Sequence, residues 1–143
     1  MGAQKKKLLI INGPNLNLLG KREPATYGTE SFEDFLVKLD LKYEQVQLEY
    51  VQSNLEGEII NAIQETKAEG VILNAGGYSH TSVAIRDAVA ASDLPIVEVH
   101  ISNLSSRESF RHDSLLSPVC KGCIVGFGLK GYELAIMYFQ DLT

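Results

Sequence analysis

Two side chains inside one apolar run are the first to suggest chemistry. Residues 95–100 read PIVEVH, with Glu98 and His100 two positions apart. On a strand that spacing puts both on one face, so the carboxylate can hydrogen-bond one imidazole nitrogen, fix its tautomer and favour the imidazolium. A histidine held this way suits general-acid work. A satisfied buried pair is the plainer reading, but glutamate seldom enters an apolar strand without a reason, which favours function.

Other polar groups stand where apolar runs stop. Residues 8–11 (LLII) end at Asn12-Gly13-Pro14-Asn15, and residues 71–73 (VIL) end at Asn74-Ala75-Gly76-Gly77. The stretch after Asn12 has neither helical nor strand period and carries Arg22 and Tyr27. We read Asn12, Arg22 and Tyr27 as active-site residues and residues 21–28 as a mobile lid, stiffened by Pro24 and hinged at Gly28. A surface connection that merely turns would have the same composition. Ser79-His80-Thr81-Ser82 falls at a helix start, where free N–H groups and hydroxyls suit an anion such as a carboxylate, or simply cap the helix. Arg111 and His112 lie in a long polar connection, where an isolated arginine is ordinarily a surface residue.

The elements that would position these groups follow from periodicity. Strands are expected over residues 8–11, 46–50, 71–73, 95–100 and 122–127, the second nearer an edge because Val46, Leu48 and Tyr50 alternate with polar residues. Helices are expected over residues 32–39 with Phe32, Phe35, Leu36 and Leu39 inward, over 55–69, from about 79 to 91, and over 132–142. Ser31 with Asp34 three positions on forms a loose capping box. A short helix is expected near residues 107–112. Five strands alternating with helices imply a parallel sheet covered on both faces, because parallel crossovers need a helix. The length fits a flavodoxin-like α/β sandwich with strand order 2-1-3-4-5. In that order strands one and three flank the reversal of winding, so Asn12 and Asn74 share one crevice with the end of strand four.

Composition narrows the classes. A chain of 143 residues is expected to form a single catalytic domain. With 13 basic against 18 acidic side chains, net charge −5, a non-specific nucleic-acid partner is disfavoured. No apolar stretch reaches membrane-spanning length and no signal-peptide core precedes residue 8, so a cytoplasmic location is expected. Cys120 and Cys123 form a CxxC, but without the flanking helix of a redox motif or further zinc ligands nearby they read as ordinary strand-edge cysteines. Residues 126–131 (GFGLKG) are a literal GxGxxG, misplaced for a dinucleotide site because no further strand and acid follow.

Taken together, the segments GPNLNLLGKREPATYG (13–28), QSNLEGEI (52–59), NAGGYSHTSVAIRDA (74–88), EVHISN (98–103), FRHDSLLSPVCKG (110–122) and GFGLKGYELA (126–135) resemble the type II 3-dehydroquinate dehydratase family. Gly77 and Ser79 depart from its usual Ala and Thr, and the cysteines lie outside its pattern. The resemblance implies loss of water from 3-dehydroquinate to give 3-dehydroshikimate in the shikimate pathway, with no metal and no organic cofactor. It implies Tyr27 as the base, Arg22 stabilising its phenolate, Asn12 positioning a water against the enolate, and His100 as the acid with Glu98 behind it. Substrate-binding positions carry over to Asn74, His80, Asp87, Ile101, Ser102 and Arg111. The assembly implied is a homododecamer of four trimers, with Asp87 near a subunit boundary.

Free tyrosine titrates near ~10, so a phenolate base at neutral pH needs about 3–4 kcal/mol of selective stabilisation. Arginine in a closed, water-poor site is the available source. Two other classes stay in view. A lysine Schiff base would catalyse a similar elimination, although no lysine stands on strands three or four; borohydride trapping discriminates. A non-enzymatic flavodoxin-like ligand carrier or receiver module shares the fold, but a receiver needs acids where Asn12 and Asn74 stand, and a flavin carrier would purify yellow.

Overall fold

The computed structural model describes residues 4–21 and 29–142. Five strands, β1 (Lys6–Asn12), β2 (Val46–Gln52), β3 (Gly70–Asn74), β4 (Ile96–His100) and β5 (Gly122–Val125), pair in the order β2-β1-β3-β4-β5. Every pairing is parallel. Four α-helices supply the outer layers: α1 (Phe32–Lys42), α2 (Glu56–Glu65), α3 (Val83–Ala91) and α4 (Lys130–Gln140). The flavodoxin-like order expected from the sequence is the order observed.

The alternation of β1 explains why there are two cores. Leu8 and Ile10 point to one face and join Phe32, Phe35 and Leu39 of α1 with Ile136 and Phe139 of α4. Leu9 and Ile11 point to the other and join Ile59 and Ile63 of α2 with Ile85 and Val89 of α3. Phe32 stacks on Tyr50 with centroids 4.9 Å apart and meets Tyr132 edge-on at 4.8 Å. Truncating such a fully buried aromatic typically costs about 3–5 kcal/mol. β2 and β5 are the edges, and Gly122 and Cys123 at the start of β5 are exposed.

Helix boundaries follow the sequence in one case and correct it in two. Ser31 caps α1, its Oγ accepting from the Asp34 N–H at 3.1 Å. The second helix ends at Glu65 rather than residue 69, because Thr66 turns extended and its Oγ1 accepts from the Ala68 N–H at 3.0 Å, a local bond that competes with the helix. The third begins at Val83: residues Gly76–His80 form a 3-10 turn, and Ser82 caps α3 by accepting from the Ile85 N–H at 2.9 Å. The Ser82 hydroxyl also donates to the Glu56 carboxylate. The connection from 102 to 118 folds as three 3-10 turns, Leu104–Ser106, Ser109–Arg111 and Ser117–Val119, where one short helix was expected.

Candidate active site

The carboxyl ends of β1 and β3 meet closely. A side chain at Gly13 would fall 2.5 Å from the Ala75 carbonyl, so only glycine lets the two strand-end turns pack. Gln52 holds the β1 turn by donating to the Gly13 carbonyl at 3.2 Å and to the Asn54 side chain at 3.2 Å. Asn54 in turn accepts from the Asn15 N–H at 3.0 Å.

Beside these turns lies a cavity of about 140 Å³. Asn74, His80, His100, Ile101, Ser102 and Arg111 all line it, with Leu16, Leu18 and Leu19 of the β1 connection forming its apolar wall. Asn12 and Glu98 are buried and do not line it, and Asp87 lies away from it, exposed on α3 and ion-paired to Arg86 at 3.3 Å. Arg22 and Tyr27 lie outside the described residues. The described chain on either side of them comes together where Gly20 packs against the Thr29 carbonyl.

Glu98 and His100 are buried and joined by a His100 Nε2 to Glu98 Oε2 hydrogen bond of 2.5 Å. Glu98 also accepts from Ser114 Oγ at 2.5 Å and from Ser117 Oγ. Burial pushes its carboxyl upward, but the hydrogen bond and charge of His100, with the two hydroxyls, outweigh burial and hold it below the ordinary carboxylate range. The carboxylate is therefore ionised at neutral pH and aligns the ring, leaving Nδ1 as the nitrogen it does not engage. His80 lies nearly parallel to His100, centroids 6.1 Å apart, and its Nδ1–H donates to the Asp113 carbonyl at 2.8 Å, which fixes its tautomer.

The opposite face of the sheet carries a neutral network. Tyr132, fully buried on α4, donates its hydroxyl to Asn12 Oδ1 at 2.7 Å and accepts from Asn74 Nδ2 at 2.8 Å. Asn12 Nδ2 reaches the Tyr50 hydroxyl at 3.3 Å. Burial drives the phenols of Tyr132 and Tyr50 above their ordinary value. Neither is suited to act as a base.

Sequence reasoning missed Tyr132, the two serines and Arg107. Arg107 lines the cavity, and its guanidinium donates to Ser102 Oγ at 3.0 Å. With Arg111 it brings two guanidinium groups to the cavity, both ion-paired to Glu108, at 3.4 Å and 3.1 Å. No local signal marks these residues: each lies in a loop or helix start, and Tyr132 and the two serines act on partners far along the chain. The GFGLKG stretch has a structural use. Gly126 and Gly128, at φ +93° and +60°, donate their N–H groups to the carbonyls of His100 at 3.1 Å and Ile101 at 2.9 Å and fasten the end of β4. Cys120 and Cys123 are free thiols. Burial first, then Glu98, pushes them up to about 12 and about 11, which suits protonated thiols rather than redox nucleophiles.

Fold and site define a parallel α/β protein with a histidine–carboxylate pair and two arginines at the point where the winding reverses. A family model for class II dehydroquinase matches residues 6–140. The chain is 52% identical over 142 residues to a 3-dehydroquinate dehydratase of Fusobacterium nucleatum, covering 94% of this chain and 97% of the relative. It is 54% identical over 132 residues to one from Exiguobacterium sp., covering 91% of each. The crystal structure of a type II dehydroquinase from Butyrivibrio crossotus superposes with a TM-score of 0.91 at 47% identity, covering 97% of this chain and all of that one. The chain belongs to the class II dehydroquinase family. No described helix is long and apolar enough to cross a membrane.

Proposed function

We propose that the protein is a hydro-lyase, a type II 3-dehydroquinate dehydratase, that removes water from 3-dehydroquinate to give 3-dehydroshikimate. The observation that carries this reading is His100, backed by the buried Glu98, opening onto a cavity lined by two arginines. An anionic, hydroxylated small ring matches that combination of cations and hydrogen-bonding groups.

In the proposed sequence the phenolate of Tyr27 takes the proton from the carbon next to the ketone, and Arg22 stabilises that phenolate. The resulting enolate is met by a water that Asn12 positions. The carbon–oxygen bond then breaks with transfer of the His100 proton to the departing hydroxyl, on the face opposite the one that lost its proton, and water leaves. Glu98 stabilises the imidazolium before the transfer and orients the neutral ring after it. Asn74, His80, Ile101, Ser102 and Arg111 hold the substrate, and Arg107 joins them. Asp87 faces away from this cavity, which fits a role at a neighbouring subunit in a homododecamer of trimers. The burial-raised phenols of Tyr132 and Tyr50 support a base located elsewhere.

The test is formation of the conjugated enone, followed by absorbance with chelator present. Tyr27→Phe is expected to abolish turnover while substrate still binds, measured by calorimetry. Turnover like that of the unaltered protein in this variant overturns the assignment of the base.

A further inference from the structure

The edge of the sheet beside the site sets next to the Glu98–His100 pair a thiol, Cys123, that the dehydration does not use. Cys123 on β5 stands opposite Glu98 in the β4–β5 register. Residues paired across parallel strands share a face, and His100, two positions beyond Glu98, shares it too. One ligand atom each from Glu98, His100 and Cys123 therefore falls within 4.8 Å of the others. Glu98 and His100 are buried, whereas Cys123 lies on the exposed edge strand with its thiol partly shielded against Glu98, so the group is approached from the sheet edge.

We propose that Glu98, His100 and Cys123 form a binding site for one borderline-soft divalent ion of the zinc type, and that occupancy switches the enzyme off by sequestering His100. Binding stands on the geometry alone; the loss of turnover rests on the reading of His100 as the acid.

The ligand chemistry is selective. Imidazole nitrogen, thiolate sulfur and carboxylate oxygen together suit zinc or cobalt(II), while magnesium and calcium want oxygen alone. His100 Nε2 already points at the carboxylate at 2.5 Å, and the Cys123 sulfur lies within 4.8 Å of the ligand atoms of both. A divalent ion entering between them replaces both hydrogens. The thiol proton passes to solvent, the imidazole proton moves from Nε2 to Nδ1, and metal–sulfur, metal–nitrogen and metal–oxygen bonds form. The ion's two positive charges match one thiolate and one carboxylate, so the buried site stays neutral and avoids the penalty of an unpaired charge. Metal–ligand bonds near 2.0–2.2 Å place neighbouring N and O ligands about 3.4 Å apart, so His100 and Glu98 must part by roughly 1 Å. Ser114 and Ser117 remain on Glu98 as outer-shell donors that keep it aimed.

The experiment titrates cobalt(II) into the purified protein under a non-coordinating phosphine reductant. The readouts are the near-ultraviolet thiolate-to-cobalt absorption and enone formation. A single equivalent is expected to raise the band, zinc to displace it, and turnover to fall by roughly a hundredfold, recovering with chelator. Cys123→Ser, which keeps a hydrogen-bond donor beside Glu98, should retain metal-free turnover, lose the band and need roughly tenfold or more metal for inhibition. Cys120→Ser should behave like the unaltered protein. No band at one equivalent, or a band surviving in Cys123→Ser, overturns the site. A band without loss of turnover upholds the site and overturns His100 as the acid.

Discussion

The two faces of the sheet treat buried polar groups in opposite ways at the same end of the strands. On one, Glu98 and His100 carry a charge and a transferable proton, and three donors converge on one carboxylate. On the other, Asn12, Asn74, Tyr50 and Tyr132 share only neutral hydrogen bonds. Both groups are buried and both are satisfied, so burial alone does not separate a reactive centre from a framework. What separates them is titration. The first face holds a depressed carboxyl beside an imidazole, and the second raises every phenol it contains so that nothing ionises.

The sharpest way to break this contrast is on the charged face. His100→Gln keeps a donor at about the same reach but removes the proton relay. Turnover is expected to fall by about 10²–10⁴, with a much smaller change in KM, as for loss of a general acid. A rise in KM with kcat unchanged would make His100 a binding residue instead.

Glu98→Gln should have a smaller effect on rate and a distinctive one on stability. An amide places a donor where His100, Ser114 and Ser117 now donate, so a tautomer or a hydroxyl must turn. The expected loss at neutral pH is about 1–3 kcal/mol. Because the folded carboxyl titrates below its unfolded value, its stabilisation is present above the ordinary glutamate range and is lost as pH falls through the folded value. Denaturant melts from pH 7 to pH 3 should therefore converge for the two proteins as the solution becomes acid. Parallel curves would show that the charge contributes nothing.

The same contrast explains what could be read without coordinates. Glu98 and His100 were legible because a two-residue spacing on an apolar strand fixes a shared face. Asn12 and Asn74 were legible as strand ends at the switch point, and the strand order placed them side by side in register. The partners were not legible. Tyr132 looks like any core aromatic at a helix start, and its two amides lie 58 and 120 residues away in the chain. Ser114 and Ser117 reach Glu98 from a loop whose three tight turns have no periodic signature. Helix ends failed where a local side-chain bond, as at Thr66, beats the helix. Arg22 and Tyr27 rest on motif likeness.

The neutral face makes the gentlest prediction and the most specific one. Tyr132→Phe removes a single oxygen while leaving the ring against Phe32 and Phe35. Asn12 Oδ1 and Asn74 Nδ2 both lose a buried partner, which costs about 1–3 kcal/mol of stability. If the network only supports the fold, the loss ends there, and kcat measured well below the melting range is unchanged. If Tyr132 positions the two amides, as we expect, kcat falls while KM for 3-dehydroquinate moves little, because Asn12 is assigned to the enolate rather than to the ground state. A double-variant cycle with Asn12→Ala then decides the matter. Once the amide is gone, removing the hydroxyl should cost little further rate, whereas additive losses would mean that the tyrosine acts independently of Asn12.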